Sequence, residues 1–201
     1  MKRRQNPSCN PPHLGYWTSL FLLAMPICFL GLPHPTSGDN PEQITAEYQV
    51  KAAYLCNFTK FIEWPMGTFA AQDAPLTIGI VGEDPFGQAI DTEALNITTN
   101  GHKLLIKRFR WDQDFRQSQV IFIGLAEKKH LASILLSVKG ASILTVSDIE
   151  NFSSSGGMIG LIFDVDRIRF EINLEPAFGS RIGISSKLLS LASTVKGKRN
   201  R

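Results

Sequence analysis

The stretch from Ala46 to Pro65 has the sequence AEYQVKAAYLCNFTKFIEWP, and it is the longest strongly patterned helical segment after the first 38 residues. Its large apolar side chains recur three or four residues apart, which places them on one face of an α-helix. These side chains are Val50, Tyr54, Leu55, Phe58, Phe61 and Ile62. Pro65 ends the pattern, because proline disfavours the helical conformation of the residue before it. We therefore predict a first core helix over 46–65, with Thr45 as its N-cap.

Two residues of this helix need separate explanations. Lys51 falls inside the apolar face, so its ammonium group must extend to solvent, pair with Glu47 one turn earlier, or meet a partner group. Cys56 is the only cysteine after residue 38. We predict it to be a small buried side chain, with an intermolecular disulfide or a reactive thiol as the alternative.

The first 38 residues have the pattern of an export signal. Basic residues at 2–4 precede an uncharged apolar run over 16–32, and small residues at 36–38 offer a cleavage site. The run has about 17 residues, at the short limit for crossing a bilayer, and Pro26 interrupts it. We therefore expect a cleaved signal peptide over 1–38 and a periplasmic protein, with an uncleaved inner-membrane anchor as the alternative.

The charge balance argues against nucleic-acid binding. The chain has 21 basic and 18 acidic side chains, and the excess of three is the basic triplet at 2–4. After residue 38 the charges are therefore balanced, so no basic surface for phosphate backbones is predicted. The apolar fraction of 43% and the charged fraction of 19% are those of a globular domain.

Beyond Pro65 the chain alternates short apolar runs with helical patterns. Strands are predicted over 76–82, 103–109, 118–124 and 142–146, and helices over 88–95 and 125–139. This order is typical of an α/β sheet with parallel strands. Two further strands, 160–164 and 168–172, are joined by a short turn and predict a hairpin. A loop is predicted over 173–179, followed by a last helix over 184–195.

Motifs for catalysis, nucleotide binding or metal binding are missing from the sequence. The turn after strand 76–82 contains Glu83 and Asp84, which would repel phosphate, and its glycines do not have the dinucleotide-binding spacing. The stretch SSSGG at 153–157 lacks the lysine of a phosphate-binding loop, so we predict a flexible loop there. No pair of the four histidines has metal-ligand spacing. We therefore predict that the protein is not an enzyme and holds no cofactor or metal.

Two stretches resemble the YfiR family, small exported bacterial proteins that, where studied, restrain an inner-membrane diguanylate cyclase from the periplasm. The first is VKAAYLCNFTKFIEWP at 50–65, followed by LTIGIVGEDPFG at 76–87. The second is FEINLEPAFGSRIGISSKLLSLA at 170–192. The resemblance implies a single Rossmann-like α/β sandwich domain, with a mixed, mostly parallel sheet of five to six strands flanked by helices. It also implies a binding function without catalysis.

The expected organisation is a signal peptide over 1–38, a linker over 39–45, a YfiR-like α/β domain over 46–195 and a basic tail over 196–201. The resemblance implies a regulator that binds the periplasmic part of a membrane signalling protein, a diguanylate cyclase or a sensor kinase, and modulates cyclic-di-GMP signalling. A periplasmic sensor of a small ligand is the alternative, and a homodimer is also left open. Because Cys56 stands alone, control through internal disulfides is not expected.

Eight residues are predicted to contact a partner or a ligand. They are Lys51, Glu63, Trp64, Glu83, Asp84, Asn173, Arg181 and Ser185. Packing alone does not explain a lysine within an apolar helix face or a tryptophan at the helix end. Arg181 lies between Gly179 and Gly183, which leaves its side chain room to reach a ligand or an acidic group of a partner. For each of the eight, a structural hydrogen bond or a turn is the alternative role.

Overall fold

The structure is a computed structural model, and it describes residues 41–164 and 167–197. The predicted signal peptide over 1–38 lies outside the described residues, as does the end of the basic tail. Within the part of the chain that the structure describes, no helix combines the length and hydrophobicity needed to cross a membrane.

Helices and short strands alternate along the chain. The α-helices are α1 Pro41–Phe58, α2 Gln88–Leu95, α3 Leu131–Ser137, α4 Leu174–Gly179 and α5 Ser186–Leu191. Short 3-10 helical turns follow α1 at Thr59–Phe61 and precede α3 at Leu125–His130. The strands are β1 Ile62–Glu63, β2 Leu76–Val81, β3 Thr98–Thr99, β4 His102–Phe109, β5 Val120–Ile123, β6 Leu144–Ser147, β7 Ile159–Asp164, β8 Arg167–Asn173, β9 Gly183–Ile184 and β10 Thr194–Lys196.

Among the described residues, eight of these strands form one sheet in the order β10-β8-β7-β6-β5-β2-β4-β3. The pairs are parallel except for the β7–β8 hairpin and the short β3–β4 pair. Strand β2 lies between β4 and β5, the arrangement of a doubly wound α/β fold. The predicted mixed, mostly parallel sheet is confirmed. It has eight strands instead of five to six because β3 and β10 add a short strand at each edge.

The core lies on both faces of this sheet. Alternate residues of a strand point to opposite faces, so Ile78 and Ile80 of β2 belong to the apolar cluster that includes α1 and α2. On the other face, Ile121 and Ile123 of β5 belong to the cluster that includes Ile134 of α3. Burial on both faces explains why the central strands appear in the sequence as uninterrupted apolar runs.

Helix α1 differs from the predicted first helix at both ends. It begins at Pro41, inside the range predicted as a linker, so Thr45 lies within the helix and is not its N-cap. It ends at Phe58, well before Pro65, and after one 3-10 turn the chain becomes extended. The reason is tertiary, because β1 pairs antiparallel with β9, a contact that local periodicity cannot reveal. Val50, predicted on the buried face, is 46% exposed.

The C-terminal region also departs from the prediction. The predicted loop over 173–179 is instead helix α4, and the predicted helix over 184–195 is reduced to α5. After α5 the chain extends and adds β10 to the edge of β8 in parallel. Within the last helix Leu188 is buried, whereas Leu191 is 61% exposed and does not belong to the core. The extended end reflects pairing with β8, which the local pattern of a short segment does not show. Helix α4 begins at Asn173, whose side chain caps its first turn.

Cys56 is fully buried in α1 and forms no disulfide within the described residues. Burial raises the pKa of its thiol to about 12. Since the thiolate is the reacting form of cysteine, we expect Cys56 of the folded chain to resist iodoacetamide at mildly alkaline pH and to react fully after unfolding in guanidinium chloride. Mass spectrometry of the peptide that contains Cys56 measures this. Equal labelling rates in the folded and unfolded chains would contradict the buried position.

Candidate functional site

The pairing of β1 with β9 brings predicted site residues together outside the large sheet. Glu63 is paired with Gly183, so Glu63, the adjacent Trp64 and the preceding Arg181 lie close to one another. The backbone N–H of Ser185 donates to the carbonyl oxygen of Phe61 at 3.0 Å, which extends the same contact. We call the surface formed by Glu63, Trp64 and Arg181 the β1–β9 surface.

An apolar groove of about 530 Å³ borders this surface. Its apolar lining comes from α4, β9 and α5 and consists of Leu174, Phe178, Ile182, Ile184 and Leu189. Glu63 and Arg181 supply charges of opposite sign at its edge. Phe178 is 40% exposed, so the groove presents an aromatic ring to solvent. Exposed apolar surface with a polar border is typical of a protein-binding or ligand-binding site.

Trp64 belongs to a cluster of rings. It meets Phe69 edge to face at 6.1 Å between ring centroids, and Phe69 stacks on His102 at 3.9 Å. The Nδ1 atom of His102 lies 2.6 Å from the carbonyl oxygen of Ala74. Packing therefore explains most of the Trp64 side chain. Its indole Nε1 is buried without a hydrogen-bond partner among the described residues, which packing leaves unexplained.

A second depression lies at the amino ends of β2, β5 and β6 and has a volume of about 740 Å³. Its charged lining residues are Lys107, Arg116 and Arg181, and no acidic side chain of the described chain lines it. We call it the basic cleft. Sequence reasoning missed Lys107 and Arg116, because nothing in the local pattern shows that β4 and the segment before β5 approach Arg181.

Lys51 lies elsewhere, in a buried ionic cluster between α1 and the end of β6. Its Nζ is 2.6 Å from Oδ2 of Asp148 and 2.5 Å from Oε1 of Glu47. The Tyr48 hydroxyl donates to the same Asp148 oxygen at 2.9 Å. Burial, followed by the charge of Asp148, raises the pKa of Tyr48. The predicted pairing with Glu47 is therefore present, and the acidic group that Lys51 meets is Asp148 of the same chain, 97 residues later.

Glu83 and Asp84 lie at the carboxyl ends of the parallel strands, where α/β sheets usually bind ligands. Asp84 accepts hydrogen bonds from the backbone N–H of Phe86 and from Nε of Arg108, both at 2.8 Å. The Glu127 side chain fills the space beside Gly82, since a Cβ on that glycine would overlap it. Side chains therefore fill this part of the carboxyl edge. The hydrogen bonds of Asp84 give it a structural role, the alternative to partner or ligand contact.

Asn173 and Ser185 begin helices. The Oδ1 atom of Asn173 accepts from the backbone N–H of Glu175 at 3.1 Å, and its Nδ2 donates to the carbonyl oxygen of Ser153 at 2.8 Å. The Oγ atom of Ser185 accepts from the backbone N–H of Leu188 at 3.3 Å. Their side chains satisfy backbone groups at helix N-termini. Both positions therefore have a structural explanation.

The geometry thus defines a doubly wound α/β sandwich with an apolar groove and a basic cleft beside its β1–β9 pair. No cluster of histidine, cysteine, aspartate or glutamate side chains in the described ranges could hold a metal ion. The chain matches the YfiR/HmsC-like family over residues 48–193 and belongs to that family. The predicted resemblance is confirmed.

A conserved domain protein from Vibrio cholerae has a solved structure that is partly similar to this chain. The two chains are 14% identical, and the match covers 60% of this chain and 55% of that chain with a TM-score of 0.45. The chain therefore corresponds to little more than half the length of that protein.

Proposed function

We propose that this protein is a non-enzymatic periplasmic regulator that binds the periplasmic part of an inner-membrane signalling protein, such as a diguanylate cyclase or a sensor kinase. Through that contact it modulates cyclic-di-GMP signalling. The observation that carries the proposal is the family match, which runs over 48–193 and so takes in nearly all of the described chain. Studied members of the YfiR family restrain an inner-membrane diguanylate cyclase from the periplasm.

The apolar groove is the surface that we assign to the partner. Its exposed ring, Phe178, can pack against an apolar side chain, while Glu63 and Arg181 flank the contact with opposite charges. Interfaces commonly combine a central aromatic or aliphatic anchor with a charged border of this kind. The fitting partner segment presents an apolar side chain flanked by one basic and one acidic group.

The state of the nucleophilic side chains supports a non-enzymatic role. Cys56 is buried with a thiol pKa raised to about 12, which keeps it in the unreactive protonated form. Ser185 is occupied as a helix N-cap, and Ser153 donates to Glu171 at 2.5 Å. The His130 ring is bonded to Glu127 and stacked on Trp111. In the folded chain these groups are buried or held by hydrogen bonds and stacking contacts within the protein.

Replacing Phe178 by alanine is expected to weaken partner binding by about 10- to 100-fold, because loss of a central aromatic anchor costs roughly 2 kcal/mol or more. The measurement is calorimetric titration of the protein with the purified periplasmic domain of the membrane cyclase or kinase encoded nearest to it. Phe163→Ala is the matched control, since Phe163 is 54% exposed and does not line the groove. Absence of binding by the unchanged protein would contradict the proposed function. Equal losses in the two variants would exclude the groove as the docking surface.

A further inference from the structure

The basic cleft concentrates positive charge in a chain whose charges otherwise balance. Lys107 on β4, Arg116 in the segment before β5 and Arg181 before β9 come from three separate parts of the sequence. The fold alone brings them together. Residues 39–201 carry equal numbers of basic and acidic side chains, so this grouping is a local feature of the surface.

Two of these three cations are unpaired. Arg116 is bonded to Asp114, with Nε 3.1 Å from Oδ1, and both side chains are largely exposed. Lys107 and Arg181 form no ion pair with any residue that the structure describes. Glu63 and Arg181 both line the apolar groove without forming an ion pair. The cleft therefore offers two uncompensated positive charges.

The polar floor and the size of the cleft suit a small molecule. Its volume of about 740 Å³ is within the range of typical ligand sites, roughly 300–1,000 Å³. Ser118 contributes to the floor, and its Oγ is buried without a hydrogen-bond partner in the described ranges. The backbone N–H of Thr77 is already satisfied by the side chain of Gln119. The Ser118 Oγ lies against Gly79 and has no exposed surface, so the exposed cations are the groups of the cleft that a ligand can reach.

The backbone at Arg181 also sets this residue apart. Its φ angle is +58°, a left-handed conformation that costs a residue with a side chain about 1 kcal/mol or more. A glycine would adopt it without strain, and glycines stand two positions away on both sides. The chain nevertheless places an arginine there, beside the cleft. The strain is consistent with a role for the guanidinium group that glycine could not perform.

We propose that the basic cleft binds a small organic dianion, a molecule with a phosphate group or paired carboxylates, held by Arg181 and Lys107. An arginine fork bonds two oxygens of such a group, and a lysine supplies the second charge. The site lies at the amino edge of the sheet, opposite to Glu83 and Asp84, which would repel an anion. This inference does not depend on the partner-binding function. It assigns a small-molecule ligand to a depression other than the apolar groove.

Isothermal titration of the purified protein with inorganic phosphate and with succinate tests the proposal, with sodium chloride at matched ionic strength as the reference. We expect saturable binding of at least one probe, weakening as salt is added. Lys107→Gln and Arg181→Gln should each reduce the affinity about 10- to 100-fold, the effect of losing one charge-assisted hydrogen bond. Lys103→Gln is the matched control, because Lys103 is an exposed lysine on the same strand and does not line the cleft.

Binding of phosphate alone supports the proposal and assigns a ligand with a phosphate group, whereas binding of succinate alone supports it and assigns a dicarboxylate. Heats equal to the chloride reference for both probes overturn it. An equal loss of affinity in Lys103→Gln also overturns it, because the effect is then one of general surface charge. Thermal unfolding of each variant confirms that the exposed substitutions leave the fold intact. Partner binding is measured separately with Phe178→Ala. Failure of the anion proposal and failure of the partner-binding proposal can therefore be told apart.

Discussion

Lys51→Met is expected to lower the free energy of unfolding by about 3–5 kcal/mol, the cost of removing one partner from a buried ion pair. The side chains of Lys51 and Asp148 are 4% and 6% exposed, so solvent cannot replace the lost ammonium group. The Oδ1 atom of Asp148 is already without a hydrogen-bond partner among the described residues. Urea unfolding followed by circular dichroism measures the loss.

Lys60→Met is the control for this prediction. Lys60 lies in the turn after α1, is exposed, and donates to Asn57. Its replacement should change stability by no more than about 0.5 kcal/mol. Replacing Lys51 and Asp148 together, by methionine and leucine, should recover much of the loss, because an apolar pair removes the uncompensated charge. Unchanged stability of Lys51→Met would show that the cluster does not hold α1 to β6.

The second large effect is expected at Phe152, where replacement by alanine should cost about 3–5 kcal/mol. The ring is 1% exposed and packs with the apolar cluster on the α3 face of the sheet. It also occupies the space beside Gly157, where a Cβ would overlap it. The segment can relax little around the cavity that alanine leaves, since Ser153 is itself buried and hydrogen-bonded to Glu171. Thermal and urea unfolding both measure the change.

The matched control is again an exposed phenylalanine, Phe163 on β7. Its replacement removes the same atoms from a side chain that is 54% exposed, so the expected loss is well below that at Phe152. Similar losses in the two variants would mean that the loop after β6 does not anchor the core. The sequence predicts a flexible loop over 153–157. In the structure the start of this segment is held in the interior, because Ser153 and the preceding Phe152 are buried.

Strong local patterns predicted most of the large sheet. Strand β2 and the β7–β8 hairpin follow from β-branched apolar runs bounded by turn residues. The prediction failed where a short segment takes its structure from a distant partner. Strand β1 was assigned to the preceding helix, and β10 to the last one, because two or three residues carry no periodicity of their own. Only the pairing with β9 and β8 makes these segments extended.

The residues of the candidate site could be predicted from the sequence only where they are unusual in their local sequence. Trp64 and Arg181 were selected because each is unusual in its local sequence, and the structure places both beside the β1–β9 pair. Lys51 was selected on similar grounds but is explained by Asp148, a contact that requires the fold. Lys107 has no local peculiarity, since exposed lysines are common in strands near a sheet edge. Its importance arises only from its neighbours in space.

The β1–β9 pair joins segments about 120 residues apart in the chain. Contacts of such long sequence separation form slowly, since closing the intervening loop costs chain entropy before the contact is gained. Residues on both sides of this pair line the groove, so the complete groove requires a chain that has folded as far as α5. A chain truncated before α4 lacks every apolar residue that lines the groove. Under the proposed function, only copies folded through α5 can present the complete groove to the partner.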